Sequence, residues 1–391
     1  MTRIISYFSP ILVIFFFILL TCVLVLQLTF SGKALVPAVA LAADNKTTYS
    51  LTQLYNILQR SVVQIDVYDS KLGPLGWGSG FIYDSNGHIV TNQHVAEMPG
   101  AGTLSYDAIF SDGGVYSATF IGSDPSSDLA VLHIENASKL NLIPLTLGNS
   151  TQVKPGEQIA VFGSAEGLIG TLTEGIVSAV GRSSFSGAAS AEKNMLTGMP
   201  NLGVEFEQPE FIQTEASVNH GNSGGPAVNM RAEVIGVSDL GIPGAENLNF
   251  LVPSDTVKRI VPQLISNGVY RHPWLGVEGV DMTSSIGKIL NFKDPKGFLV
   301  VNVDENSPAS KAGVLGGDRP TSVPREGRSV SIDGDVIISV DGKEIRNKHD
   351  LLLYLESKNV GQDVNLTVIR DGSPQQINVV LGQRPGLNEL S

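Results

Sequence analysis

The sequence predicts a mainly β protein built on two β-barrels, and three observations carry that expectation. Short apolar runs of strand length alternate with Gly-, Asp- and Asn-bearing turns along most of the chain. At 391 residues the chain is too long for one core of ordinary size. Hydrophobic residues at 42%, with 42 glycines and 20 prolines, describe a folded, turn-rich protein and exclude a disordered one. A formal net charge of −12 argues against nucleic acid as a partner, since that needs a basic face.

The elements follow in order. Residues 11–28 are almost wholly apolar, broken only by Thr21 and Gln27, and with residues 4–9 they are long enough to cross a bilayer. That length favours an N-terminal transmembrane helix over a cleavable signal core, while Ala40-Leu41-Ala42 offers the small-x-small pattern of a cleavage site. Arg3 and the α-amino group hold the N-terminus inside, so the bulk is expected outside the cytoplasm, membrane-anchored or secreted if cleaved. The only cysteine, Cys22, lies in this run, so no intramolecular disulfide can form. Residues 1–43 therefore read as anchor or signal segment plus linker.

A short helix is expected over residues 51–61, then strands over 62–67, 78–83, 89–91, 115–122 and 130–134 as a first barrel. A second set runs over 158–162, 170–180, 211–213, 226–228, 234–239 and 248–252. Residues 254–267 have helical spacing, with Ser254 as N-cap and Val257, Ile260, Val261 and Leu264 on one face. Asn267 and Gly268 stop that helix, dividing the chain into units 44–267 and 268–385 with a tail over 386–391.

The chemistry concentrates at Gly221-Asn222-Ser223-Gly224-Gly225-Pro226, a serine on a glycine turn with room for backbone N–H groups to meet an oxyanion. Taken alone this is compatible with a plain turn between strands. Upstream, however, His94 sits at a strand end, and Asp128 stands directly before an apolar strand, where a carboxylate can hold an imidazole in one tautomer. The order His94, Asp128, Ser223 is one of three known orders for such a triad. Asp124 is a rival acid four residues earlier, beside the turn residue Pro125. No metal-ligand spacing is visible among the six histidines, and neither metal nor organic cofactor is expected.

Residues 91–96 (TNQHVA), 127–132 (SDLAVL) and 221–226 (GNSGGP) resemble the three catalytic boxes of the HtrA (Deg) serine proteases, and 162–182 and 211–216 also fit that family. The resemblance covers roughly residues 50 to 385. It implies a chymotrypsin-like double β-barrel followed by one PDZ domain, with a His94–Asp128–Ser223 triad and an oxyanion hole at Gly221, Asn222 and Ser223. By the same resemblance Ser217 lies at the base of the S1 pocket, with Leu248 and Phe250 lining or supporting it. The absence of an acid at 217 argues against a preference for Lys or Arg. Trp274, Leu275, Gly276 and Val277 match the carboxylate-binding loop of the PDZ domain, and residues 347–358 the helix flanking its groove. Residues 316–333 look like an inserted, exposed loop.

Two function classes follow. One is an extracytoplasmic endopeptidase that degrades misfolded or damaged proteins, its PDZ domain capturing peptide C-termini, assembled as a homotrimer or higher oligomer. The other is a latent protease serving mainly as chaperone or binding scaffold. Residues 183–208 form a long Ser-, Gly- and Ala-rich stretch with the character of a gating loop or a disordered insertion. His220, directly before the GNSGGP box, departs from the family's common pattern and is expected to be a loop residue.

Overall fold

The computed structural model describes residues 47–98, 100–182, 211–241, 247–292, 294–323 and 328–385. The apolar segment 11–28 and the 183–208 stretch lie outside them. Among the described residues no helix is long and apolar enough to cross a membrane.

Helix α1 (Leu51–Leu58) opens on a capping box: Gln53 N–H donates to the Ser50 hydroxyl, and Ser50 N–H donates to the Gln53 side chain. It buries Leu54 and Leu58 against the second barrel's strand side, each burial being worth about 1.5–3 kcal/mol. The first barrel closes in the order β1 (Val62–Asp69), β2 (Gly73–Ile82), β3 (His88–Thr91), β6 (Leu129–Ile134), β5 (Val115–Asp124), β4 (Leu104–Phe110). Strand β4 was not expected from the sequence. Its Tyr106, Ala108 and Phe110 alternate inward, with polar Ser105, Asp107 and a turn-rich approach masking the pattern.

The second barrel comprises β7 (Thr146–Leu147), β8 (Gln158–Ala165), β9 (Leu168–Arg182), β10 (Phe211–Thr214), β11 (Pro226–Asn229), β12 (Glu233–Gly241) and β13 (Asn249–Pro253). Its sheet order is β11-β8-β9-β10-β13-β12-β7, and a β11–β12 pairing closes it. Each barrel has its own core, Ile65, Ile82, Ile89 and Leu132 in the first, Ile159, Val161, Val177 and Leu251 in the second. A third cluster joins them through Phe81, Val90, Leu129, Phe162 and Val252. Helix α3 (Ser254–Asn267) packs Val257, Ile260, Val261 and Leu264 into that shared core, as its spacing predicts. Its cap differs: Pro253 occupies the N-cap position, and Ser254, one residue inside, donates its hydroxyl to the Gly148 carbonyl at 2.9 Å. Gly268 ends it in the left-handed conformation.

The C-terminal part is a five-strand path, β15 (Val277–Asp281), β16 (Phe298–Val303), β19 (Val336–Val340), β21 (Asp363–Arg370), β22 (Ser373–Val380), with β20 (Lys343–Glu344) paired to β19. Strands β14 (Pro273–Trp274) and β23 (Gly382–Gln383) form a separate pair. Helix α6 (Lys348–Glu356) is capped by Asn347 and packs Leu351 and Leu355 onto the sheet. The shorter helices are α2 (Gln93–Ala96), α4 (Ser284–Ile289) and α5 (Pro308–Ala312). The expected exposed loop at 316–333 is instead a hairpin, β17 (Arg319–Val323) with β18 (Arg328–Ile332). Buried Val330 and Ile332 pack with Met282, Ile286 and Leu299, so the insertion carries its own apolar anchor.

Candidate active site

The helical turn α2 follows β3 directly and carries His94 into the space between the barrels. Two segments are locked there by the Asp128 backbone and side chain. The Asp128 carbonyl accepts from Gln93 N–H at 3.0 Å and from Asn92 Nδ2 at 2.9 Å. Its carboxylate accepts from His94 N–H at 2.9 Å and meets His94 Nδ1 at 2.7 Å. An ionised carboxylate only accepts, so Nδ1 carries the proton and Nε2 is left as the basic nitrogen. Asp128 holds this geometry at φ +54°, a left-handed conformation that Asp tolerates better than most residues. Tyr106 from β4 braces the turn by donating to the Ala96 carbonyl at 2.7 Å, and burial, with the Glu97 charge nearby, pushes its pKa up to about 12.

The GNSGGP box stands between β10 and β11 and is pinned to the first barrel by Ser79. The Ser79 hydroxyl donates to the Gly221 carbonyl at 2.6 Å and accepts from Ser164 N–H at 2.9 Å, while Ser79 N–H donates to the Ser223 carbonyl at 2.8 Å. Gly224 lies so close that a Cβ there would sit 2.1 Å from the Ser79 carbonyl. Ser223 itself is buried, and its hydroxyl donates to the Asp239 carbonyl at 3.3 Å.

Three residues had been expected at an oxyanion hole, and one is excluded as a backbone donor. Asn222 N–H donates to the Asn219 carbonyl at 3.0 Å, closing a turn, and its side chain is fully buried. In that turn Gly221 has φ +95°, and the His220 carbonyl accepts from Glu166 N–H at 2.8 Å. A trans peptide points its C=O and N–H in opposite directions, so the Gly221 N–H faces away from Glu166. Within the box Gly224 N–H donates to the Ser238 carbonyl at 2.8 Å and Gly225 N–H to the Asn222 carbonyl at 2.9 Å. His220 is an exposed loop residue, stacked edge-on against Trp77 at 5.2 Å.

Among the expected S1 residues, Ser217 is exposed with its carbonyl accepting from Thr173 Oγ1 at 2.8 Å, and Leu248 is half-buried. Phe250 is partly buried, packed against the shared core and edge-on to Phe211 at 5.8 Å between centroids. Asp124 is not a partner of His94. It lies against His272 of the segment after α3, Oδ1 to Nε2 at 2.8 Å, and His272 Nδ1 meets Glu356 Oε1 of α6 at 2.9 Å. His133 is a strand residue whose Nε2 meets the Asn86 carbonyl at 3.1 Å.

Sequence reasoning missed Asp239. Its carboxylate is buried in β12, and one of its oxygens lies within 4.8 Å of a His94 ring nitrogen and an Asp128 oxygen. The signal was an acid inside a mostly apolar strand segment, residues 234–240. It also missed Ser79, for which no local motif exists.

In the C-terminal part, Trp274 ends β14, Gly276 turns at φ +79°, and Val277 begins β15. Residues 274–277 line one side of an apolar groove whose other side is Leu351, Leu352 and Leu355 of α6. β15 has one neighbour in its sheet, leaving its other edge beside that groove.

Residues 78–237 match the trypsin-like peptidase domain family, and residues 273–381 match the PDZ domain family. A probable periplasmic serine endoprotease, DegP-like, of Brucella suis biovar 1 (strain 1330) is 33% identical over 315 residues, which is 80% of this chain and 53% of the relative. The putative serine protease HhoB of Synechocystis sp. (strain ATCC 27184 / PCC 6803 / Kazusa) is 33% identical over 319 residues, 80% of this chain and 66% of HhoB. The solved structure of the HtrA-type protease AlgW with tripeptide superposes with a TM-score of 0.68 at 26% identity, covering 86% of this chain and 98% of that one. The chain belongs to the HtrA-type serine proteases. This HtrA-type chain spans about half the length of the DegP-like relatives that it matches.

Proposed function

We propose that this HtrA-type chain is an extracytoplasmic serine endopeptidase that degrades misfolded or damaged proteins. The observation that carries the reading is the His94–Asp128 pair, in which both carboxylate oxygens hold N–H groups of the one histidine beside a buried serine on a glycine turn.

Substrate binding turns the Ser223 hydroxyl from the Asp239 carbonyl toward His94 Nε2, which takes its proton as Oγ attacks a peptide carbonyl. Asp128 keeps the imidazole in the working tautomer and stabilises the imidazolium. The oxyanion is held by the N–H groups of Gly221 and Ser223. His94 then returns the proton to the leaving amine, and water, activated by the same imidazole, hydrolyses the acyl-enzyme. Ser217 and Leu248, with no acid among them, suit a small or medium aliphatic P1 side chain.

The catalytic unit is residues 44–267, and the PDZ unit, 268–385, binds substrate C-termini by adding a strand at the β15 edge with the carboxylate against residues 274–277. The apolar run 11–28 anchors the chain in the membrane, relatives named as periplasmic support the extracytoplasmic site, and the assembly is a homotrimer or higher oligomer.

Incubation of purified chain with casein and with a fluorophosphonate probe tests this. Wild type cleaves casein and is labelled at Ser223, and Ser223→Ala does neither. If both proteins are inert and unlabelled while both suppress aggregation, the chain is a binding scaffold and the proposal fails.

A further inference from the structure

The indole of Trp77 carries a donor that the fold does not use. Its Nε1–H is buried and meets no hydrogen-bond acceptor among the described residues. A Trp N–H can only donate, and leaving a buried donor unmade is costly. One kept beside an active site points to an acceptor that the ligand brings. The place is the glycine turn before Ser223, where a Cβ built on Gly221 would stand 2.7 Å from Trp77 Nε1. Two carbonyls of that corner are already engaged, His220 with Glu166 N–H at 2.8 Å and Ser164 with Gly167 N–H at 3.2 Å.

The position of Trp77 also fixes which half of a substrate it can meet. Trp77 lies on β2 of the first barrel, against the turn that carries His94. Cβ atoms built on its neighbours Gly76 and Gly78 would stand 3.3 Å from Met98 and 2.6 Å from Val95. His94 hands its proton to the leaving amine, so the leaving half of a cleaved peptide lies toward the first barrel. Ser217 and Leu248, read above as receiving the side chain of the acyl half, come from the second. Beside Trp77 the exposed His220 ring lies edge-on, 5.2 Å between centroids, and exposed side chains change rotamer readily.

We propose that Trp77 binds the leaving half of the substrate, its indole N–H donating to the main-chain carbonyl of the first residue after the scissile bond as the His220 side chain turns aside. Every peptide has that carbonyl, so the contact adds binding without sequence preference, which suits an enzyme that takes many unfolded chains. The donor is already stripped of water in the free enzyme, so the substrate meets no cost of desolvating it. A substrate without that carbonyl leaves the donor unpaired and is disfavoured.

This inference rests on the endopeptidase reading above, which the fluorophosphonate probe checks separately. An unlabelled wild type defeats that reading, whereas the outcomes that follow, obtained with a labelled enzyme, defeat this proposal alone. The test is kcat/KM of the full chain on two peptides that extend several residues past the cut. In the second, an alkene replaces the peptide bond after the first leaving residue and so removes the acceptor. Wild type prefers the first peptide, and in Trp77→Phe that preference shrinks by about fivefold, the worth of one ordinary hydrogen bond, with labelling retained. The alkene also removes one substrate N–H, but that loss is common to both proteins and cancels in the comparison. An equal preference in the two proteins overturns the proposal, whether Trp77→Phe loses nothing or loses the same on both peptides, as a mere packing change would. His220→Ala, which removes the side chain that must move, keeps or raises the preference. A preference lost in His220→Ala would give the carbonyl to His220 and overturn the assignment to Trp77.

Discussion

Replacing His272 by leucine perturbs a place where the barrels and the PDZ unit meet through buried charge. Both nitrogens of His272 face carboxylates, Asp124 of the first barrel and Glu356 of α6, and all three side chains are 10% exposed or less. A neutral imidazole can donate from only one nitrogen, so this setting favours the cation. Burial alone pulls the His272 pKa down, but the hydrogen bonds to Asp124 and Glu356 outweigh it and the net shift is upward from 6.5. Burial likewise pushes Asp124 and Glu356 up, and the His272 contact, together with Ser127 and Ser126 at Asp124 and with Arg259 and Arg384 at Glu356, more than reverses this, leaving both lowered from 3.8 and 4.5. In His272→Leu, Glu356 keeps Arg384 at 3.2 Å and Arg259 at 3.7 Å, whereas Asp124 retains only N–H and hydroxyl groups of its own turn. One stranded buried charge puts the loss at the lower end of the usual range, about 3 kcal/mol. That is a fall of about 6–12 °C in Tm.

The pH dependence carries the sign. A raised histidine pKa contributes stability that is fully present below 6.5 and is lost as pH rises through the folded value. Lowered carboxylate pKa values contribute stability present above 3.8 and 4.5 and lost as pH falls through their folded values. The gap between wild type and His272→Leu, followed by scanning calorimetry in steps of pH, is therefore widest from mildly acid to near-neutral pH and narrows on both sides. A gap that stays constant from mildly acid to strongly alkaline pH would falsify the ionic account. So would simple additivity of His272→Leu with Asp124→Asn, because residues in one network must couple.

Asp128→Asn removes the acceptor that fixes the His94 tautomer, and kcat on a peptide substrate falls by about ten-thousand-fold with the fold intact by circular dichroism. Gly221→Ala puts a Cβ 2.2 Å from the Ser164 carbonyl at a φ of +95°. It costs about 1–3 kcal/mol in denaturant titration and abolishes fluorophosphonate labelling, whereas normal labelling would show that the turn relaxes. Arg370→Ala strips a two-point hydrogen bond, 2.8 and 2.7 Å, from Asp335, whose side chain is fully buried. The PDZ unit loses about 3–5 kcal/mol, read as an earlier unfolding transition while casein cleavage at low temperature persists.

The sequence made the barrels legible because their strands are short, apolar and bounded by turn residues, and it made His94 and Asp128 legible because each sits at a strand edge. The His94 Nδ1 and Asp128 Oδ2 atoms stand 2.7 Å apart. What escaped depended on residues far apart in the chain. Asp124, His272 and Glu356 belong to a strand end, a linker and a helix end, and no local pattern marks them as partners. Ser79 ties Gly221, Ser223 and Ser164 together across more than one barrel, yet in sequence it is one more serine between glycines. The 319–332 hairpin looked like loop because its charges and proline hid the alternation that buries Val330 and Ile332. Phe250 could be read either way from the strand alone, and its ring lies edge-on to Phe211.

The helix α3 has a consequence for how the chain comes into being. It is made after both barrels, yet its apolar face completes a core shared with Phe81, Val90 and Leu129 of the first. A nascent chain emerging from its N-terminus thus displays His94 and Asp128 long before residue 223 exists, and the interface between barrels stays unsealed until residue 264 arrives. The proposed base and nucleophile are in this way separated in time as well as in sequence, so a growing polypeptide lacks one of the pair until residue 223 is made.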